Sequence, residues 1–234
     1  MKEFSNTYIF TFSSIMVIVV ALLLALAALQ LKPLQDKNIE IEKKQNILAS
    51  INVPATAENA EELYDKYITE SYVVNTTGLR VDGIDAFGVD MKAELSKPSI
   101  ERALPVYVST LSNGENAFVL PLRGKGLWGP IWGYISLNKD LNTIYGVSFD
   151  HQGETPGLGA EIKESWYQQK FIGKKIFQDS TTFVSIKVLK GIVDPANPHA
   201  VDGISGGTIT SKGLEAMIDS CLVLYKEYYF INRK

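Results

Sequence analysis

The sequence predicts an α+β fold, a mostly antiparallel sheet with helices packed at one face, preceded by one N-terminal transmembrane helix. Three observations predict it. The run from Ile9 to Gln30 carries no charged side chain. The centre of the chain alternates β-branched and aromatic runs with turn residues. Near the end, Leu214, Met217, Ile218, Cys221, Leu222, Tyr225 and Tyr229 recur at the i, i+3, i+4, i+7 spacing of a single buried helix face.

Residues 1–31 are read as the anchor. A helix over the uncharged run reaches about 30 Å, the thickness of a bilayer core. A cleaved signal peptide is the rival reading, but the apolar run exceeds the usual ~7–15 residues, and Lys2 ahead of it is offset by Glu3. Residues 32–55 read as a juxtamembrane stalk in which Leu34, Ile41, Ile47, Leu48 and Ile51 fall only loosely at helical spacing. Lys32, Lys37, Lys43 and Lys44 would keep the following domain in the cytoplasm by a positive-inside count. Asp36, Glu40 and Glu42 sit among them, and long domains translocate with little regard to charge, so composition leaves the side of the membrane open.

Residues 56–234 form the domain. Thr56 and the acidic Glu58, Glu61 and Glu62 suit a helix start, and Leu63, Tyr64, Tyr67 and Ile68 share a face, which predicts a short helix over 57–70. Strands are expected at Pro105 to Leu111 and Ala117 to Leu122, around the hairpin signal Ser112-Asn113-Gly114-Glu115. Further strands are expected at Gly133 to Leu137 and Leu141 to Phe149, around Asn138-Lys139-Asp140, and at Thr182 to Val188. Gly191 to Val201, with its prolines, reads as a loop, and Thr210 or Ser211 as the cap of the last helix.

Composition excludes several chemistries. The 234 residues, 46% hydrophobic with a net charge of −3, suffice for one sizeable core and offer no basic stripe for nucleic acid. Cys221 is the only cysteine, so no disulfide forms within the chain, and it reads as an inert core residue. The two histidines, His151 and His199, have no metal-ligand spacing, and neither a nucleophile elbow, a phosphate-binding lysine loop nor a Rossmann fingerprint occurs. Asp150, His151 and Glu154 read as a solvated loop rather than an acid–base group. No catalytic or metal-ligating residue is therefore assigned.

What the sequence does offer is three glycine-rich stretches. Asp202-Gly203-Ile204-Ser205-Gly206-Gly207-Thr208-Ile209-Thr210-Ser211 precedes the final helix, where unpaired backbone N–H groups and the positive end of the helix dipole favour an anion. Gly206 and Gly207 lack Cβ atoms, which leaves the Thr208 hydroxyl accessible. Gly124 to Tyr134, with Trp128 and Trp132, and His151 to Gly159 resemble ligand-lining loops, where apolar side chains beside bare backbone suit a flat heterocycle. Taken singly, each is better read as an ordinary turn.

Jointly, the membrane helix, Gly126-Leu127-Trp128-Gly129-Pro130-Ile131, Glu154-Thr155-Pro156-Gly157-Leu158-Gly159 and Ser205-Gly206-Gly207-Thr208 resemble the C subunit of the sodium-pumping NADH:quinone oxidoreductase. Those proteins share an FMN-binding domain family with the G subunit of the Rnf complex. The resemblance implies FMN held covalently by a phosphoester on Thr208, attached by a separate flavin transferase. Gly207 stands where the family often has alanine. The resemblance also implies that Trp128, Thr155, Leu158 and Gly159 adjoin the flavin, with Ser205, Gly206 and Gly207 shaping the approach. The implied partners are the other subunits of the complex, and the implied location is a bacterial inner membrane with the flavin domain outside the cytoplasm. An Rnf-type subunit and a membrane-anchored binding module without flavin are the competing readings.

Overall fold

The computed structural model describes residues 5–111 and 114–233. Ser112 and Asn113 of the expected hairpin turn, and Lys2 and Glu3 ahead of the uncharged run, lie outside the described residues. The chain divides after Lys43 into two compact units. The first holds most of helix α1 (Asn6–Ser50), whose apolar stretch is long enough to cross a membrane and leaves side chains such as Phe10, Val17, Leu24 and Leu29 uncovered. The helix continues through Pro33 into the segment read as a stalk.

The second unit opens inside that segment. Ile47 and Leu48, on the last turns of α1, and Ile51 just after it are fully buried, so they are core residues rather than linker. Gln45 Nε2 donates to Ala55 O (3.0 Å) and Asn52 Nδ2 to Tyr145 O (3.1 Å), which ties this end of the helix to the domain. Helix α2 (Ala60–Tyr67) follows, shorter than expected, because Ile68 already begins strand β1 (Ile68–Val74).

Strands β1, β2 (Arg80–Val81), β3 (Leu104–Thr110), β4 (Asn116–Lys125), β5 (Pro130–Leu137) and β6 (Ile144–His151) form a six-stranded antiparallel sheet in the order β2-β1-β3-β4-β5-β6. Helix α3 (Met91–Ser96) lies between β2 and β3, its start capped by the Asp90 carboxylate on Lys92 N–H. Adjacent strand residues point to opposite faces. Here both faces are buried: Val74, Val106, Leu120 and Ile135 belong to one cluster, Val73, Tyr107, Val119 and Tyr134 to the other. The first cluster includes the C-terminal helices α5 (Thr208–Leu222) and α6 (Lys226–Asn232); the second includes the end of α1 and the apolar side of α2. Helices therefore cover both faces of the sheet, not one.

Between β6 and α5 the chain forms the short helix α4 (Ser165–Gln168) and a parallel pair, β7 (Lys187–Leu189) with β8 (Ala200–Asp202). The strand expected over Thr182 to Val188 is confined to its end. Ser185 takes a φ of 60°, which breaks an extended run, and Phe183 packs edge-on against Phe177.

Candidate functional site

Helix α5 lies directly on β4. A Cβ on Gly124 would meet the Met217 side chain, and one on Gly213 would meet the carbonyl of Lys125, so these two glycines set the depth of contact. Strand β4 outruns β3, whose register with it ends at Tyr107 opposite Val119, and the Arg123 peptide groups need another partner. Cys221 supplies it: Sγ accepts from Arg123 N (3.3 Å) and donates to Arg123 O (3.4 Å). Burial pushes the Cys221 thiol up from its ordinary pKa and keeps the S–H available for that bond. The cysteine is buried as expected, and it is also a polar link between helix and sheet.

This packing delivers the first turn of α5 to the end of the β4–β5 hairpin. The helix starts at Thr208, with Gly207 as its N-cap residue and no side-chain cap. Neither Thr210 nor Ser211 caps it. Ser211 Oγ instead accepts from Ile204 N (3.0 Å), Gly207 N–H reaches Ile204 O (3.0 Å), and Gly203 N–H reaches Leu189 O (2.7 Å), which fold residues 203–207 into a closed turn. Gly206 sits at φ 75° with the Leu158 side chain against it, where a Cβ has neither room nor an easy backbone conformation. Gly207 has φ −99°, open to alanine as far as the backbone is concerned, though a Cβ would lie 3.0 Å from Ile204.

The result is an exposed Thr208 at the first helical position, with the N–H groups of Thr208, Ile209 and Thr210 beyond the reach of intrahelical carbonyls. Ser205 and Gly206 are exposed beside it, and Gly207 is buried. Ile209, 59% exposed, carries no signal of its own in the sequence, and it adds an uncovered apolar side chain next to Thr208.

The 154–159 loop folds against this turn. Thr155 O accepts from Leu158 N and Ala160 N (3.1 Å each), and Gly157 turns at φ 75°. Leu158 is 41% exposed and touches Gly206, while Gly159 is buried where a Cβ would strike Thr210 Oγ1 and the Glu154 carboxylate. Thr155 is exposed on the same loop. Gly126 to Gly129 forms the tight turn joining β4 to β5, closed by Gly126 N to Gly129 O (2.8 Å), and it holds Trp128 outward at 69% exposure. Trp128 is thus a rim residue, not a core tryptophan.

Glu154 connects all three stretches, and it is not part of a solvated loop. It is 4% exposed. Its Oε1 accepts from Trp128 N (2.8 Å), its Oε2 accepts from Thr210 Oγ1 (2.5 Å), and its own N–H donates to His151 Nδ1 (3.1 Å). The sequence signal for this is the glycine at Gly126 and Gly159, both of which leave room for the carboxylate. That signal becomes legible only once the two loops are known to meet.

A recess of about 400 Å³ borders the same turn. It is lined by Leu189, Lys190, Ile192, Ser205, Thr208 and Lys212 among others, and it includes neither Trp128, Thr155 nor Leu158. Asp202, at the head of the turn, is paired with Lys170 Nζ at 2.5 Å. Among the described residues no cluster of His, Cys, Asp and Glu has the makings of a metal site.

The arrangement fits a phosphorylated aromatic ligand: free N–H groups and a bare hydroxyl at a helix start, with a tryptophan and a leucine presented by neighbouring turns. The sequence pattern of the FMN-binding domain family matches residues 126–223, from the Trp128 turn to just past the end of α5. The C subunit of the Na(+)-translocating NADH-quinone reductase of Pseudomonas aeruginosa is 31% identical over 92% of this chain and 90% of its own length. The protein of that name from Haemophilus ducreyi is 34% identical over 85% of this chain and 82% of its own. The crystal structure of the corresponding protein from Parabacteroides distasonis superposes with a TM-score of 0.78 at 45% identity, covering 85% of this chain and 96% of that one.

Proposed function

The chain belongs to the family of C subunits of the Na(+)-translocating NADH-quinone reductases, and from that premise we propose that it carries FMN as a phosphoester on the Thr208 hydroxyl. It is an FMN-binding, membrane-anchored subunit of an oxidoreductase complex. The observation that carries the attachment reading is the position of Thr208: exposed, first in helix α5, and next to unpaired N–H groups.

A phosphodiester retains about one negative charge, and a helix N-terminus stabilises such a charge by roughly 0.3–1 kcal/mol at an exposed site. The closed turn from Gly203 to Gly207 orients the hydroxyl, and Ser205 and Gly206 leave the approach open to a flavin transferase. Trp128, Thr155 and Leu158 offer aromatic, hydroxyl and aliphatic contacts to a ring. FMN, when bound, supplies the electron storage that the polypeptide lacks. This chain positions it for exchange with the other subunits and completes no reaction alone.

The measurement that tests the attachment is the mass of the Thr208 peptide after coexpression with a flavin transferase. The expected result is an FMN adduct on the wild type and none on Thr208→Ala; an unmodified wild-type peptide would sink the proposal. We further propose that the flavin domain lies on the extracytoplasmic side of a bacterial inner membrane. Protease added to spheroplasts should then degrade it, and protection until the cells are lysed would place it in the cytoplasm.

A further inference from the structure

Resting on the Thr208 reading, we infer that Glu154 is the positioning residue of the flavin site. Its carboxylate is a brace that fixes the Trp128 turn to the first turn of α5, so that the Trp128 ring and the Thr208 hydroxyl keep one separation.

Trp128 is mostly exposed, and within the turn that carries it the Gly126 N–H to Gly129 O bond sets the local shape. Nothing in that local bond orients it toward α5. The bond from Trp128 N to Glu154 Oε1 does, because the other carboxylate oxygen is taken by Thr210, two residues past Thr208 on the same helix. Thr210 is 2% exposed and Glu154 4%, so both bonds are shielded from water, where a hydrogen bond to a charged acceptor is strongest.

The space is also reserved. A side chain at Gly126 or Gly159 would displace the carboxylate, and the Glu154 backbone is held from behind by its N–H on His151 Nδ1. Among the described residues no cation pairs with Glu154. The carboxylate is thus satisfied by the hydroxyl of Thr210 and the amide of Trp128, beside the positive end of the helix dipole. These two bonds tie it to the two segments that the site needs.

The test uses the quenching of flavin emission by indole, which requires close approach. Full-length, flavin-loaded wild type, Glu154→Ala, Glu154→Gln and Trp128→Phe are compared by time-resolved flavin fluorescence, with circular dichroism to show that each is folded and mass spectrometry to show that each is loaded. In the wild type the flavin should be quenched relative to Trp128→Phe. Glu154→Ala should lose that quenching. Glu154→Gln should keep it, because its amide oxygen accepts from Trp128 N and its NH₂ faces the Thr210 hydroxyl.

Equal quenching in wild type and Glu154→Ala overturns the inference, as does a Glu154→Gln protein that behaves like Glu154→Ala. If Glu154→Ala does not fold, Thr210→Val removes only the helix end of the brace and decides the matter: quenching should fall, and an unchanged lifetime overturns the inference. A wild type lacking the adduct overturns the attachment reading and this one with it, whereas a loaded wild type with insensitive variants overturns this one alone.

Discussion

The two ends of helix α5 differ in almost every property. At its start, Thr208 and Ile209 face outward, the preceding turn is built from glycines, and the backbone N–H groups are free. From Leu214 onward the helix is buried against the sheet, with Met217, Ile218, Cys221 and Leu222 in the core and a cysteine bonded to the backbone of β4. One end holds the helix in place and the other offers chemistry. The comparison teaches that the buried, stabilising face and the proposed attachment site are separated along a single element, within about four turns.

Substitutions should respect that separation. The largest loss of stability is expected for Leu214→Ala, which removes a fully buried side chain and should cost about 2–5 kcal/mol in denaturant unfolding, while Thr208 remains competent for flavin in the folded fraction. Cys221→Ala leaves the Arg123 N–H and carbonyl without their partner and should cost about 1–3 kcal/mol; a neutral result would show that water or a shift of β4 replaces the thiol. Gly206→Ala forces a left-handed residue and displaces Leu158, for about 1–2 kcal/mol in the melt, and it should also slow loading of Thr208 in a timed reaction with the transferase. Thr208→Ala should change unfolding by less than about 0.5 kcal/mol and yet abolish the flavin adduct, the smallest effect on the fold and the largest on function. If it destabilised the protein as much as Leu214→Ala, the division between the ends of α5 would be wrong.

Much of the fold is legible in the chain. The four central strands have local signatures, in that β-branched runs and turn residues are adjacent, and the buried face of α5 repeats at helical period. Strand β1 is hidden because it follows α2 without a breaker at Tyr67–Ile68, and the strand expected at Thr182 to Val188 fails where Ser185 adopts a left-handed conformation. Ile47, Leu48 and Ile51 read as a stalk, since their partners lie in distant strands. The three glycine-rich stretches are recognisable singly, and the structure brings them together, whereas Glu154 reads as solvated and is buried.

By itself, the sequence determined an uncharged run long enough to cross a membrane, an α+β domain, a terminal helix with one apolar face, and a glycine turn with a threonine at its end. These depend on neighbours in the chain, within one helical turn or one hairpin. The tertiary structure decided that both faces of the sheet are covered, that Cys221 completes the edge of β4, and that a buried glutamate joins the Trp128 turn to the first turn of α5. The physical reason is burial: a carboxylate in a loop sequence is read as solvated until the packing of distant segments removes the water and supplies its hydrogen-bond partners.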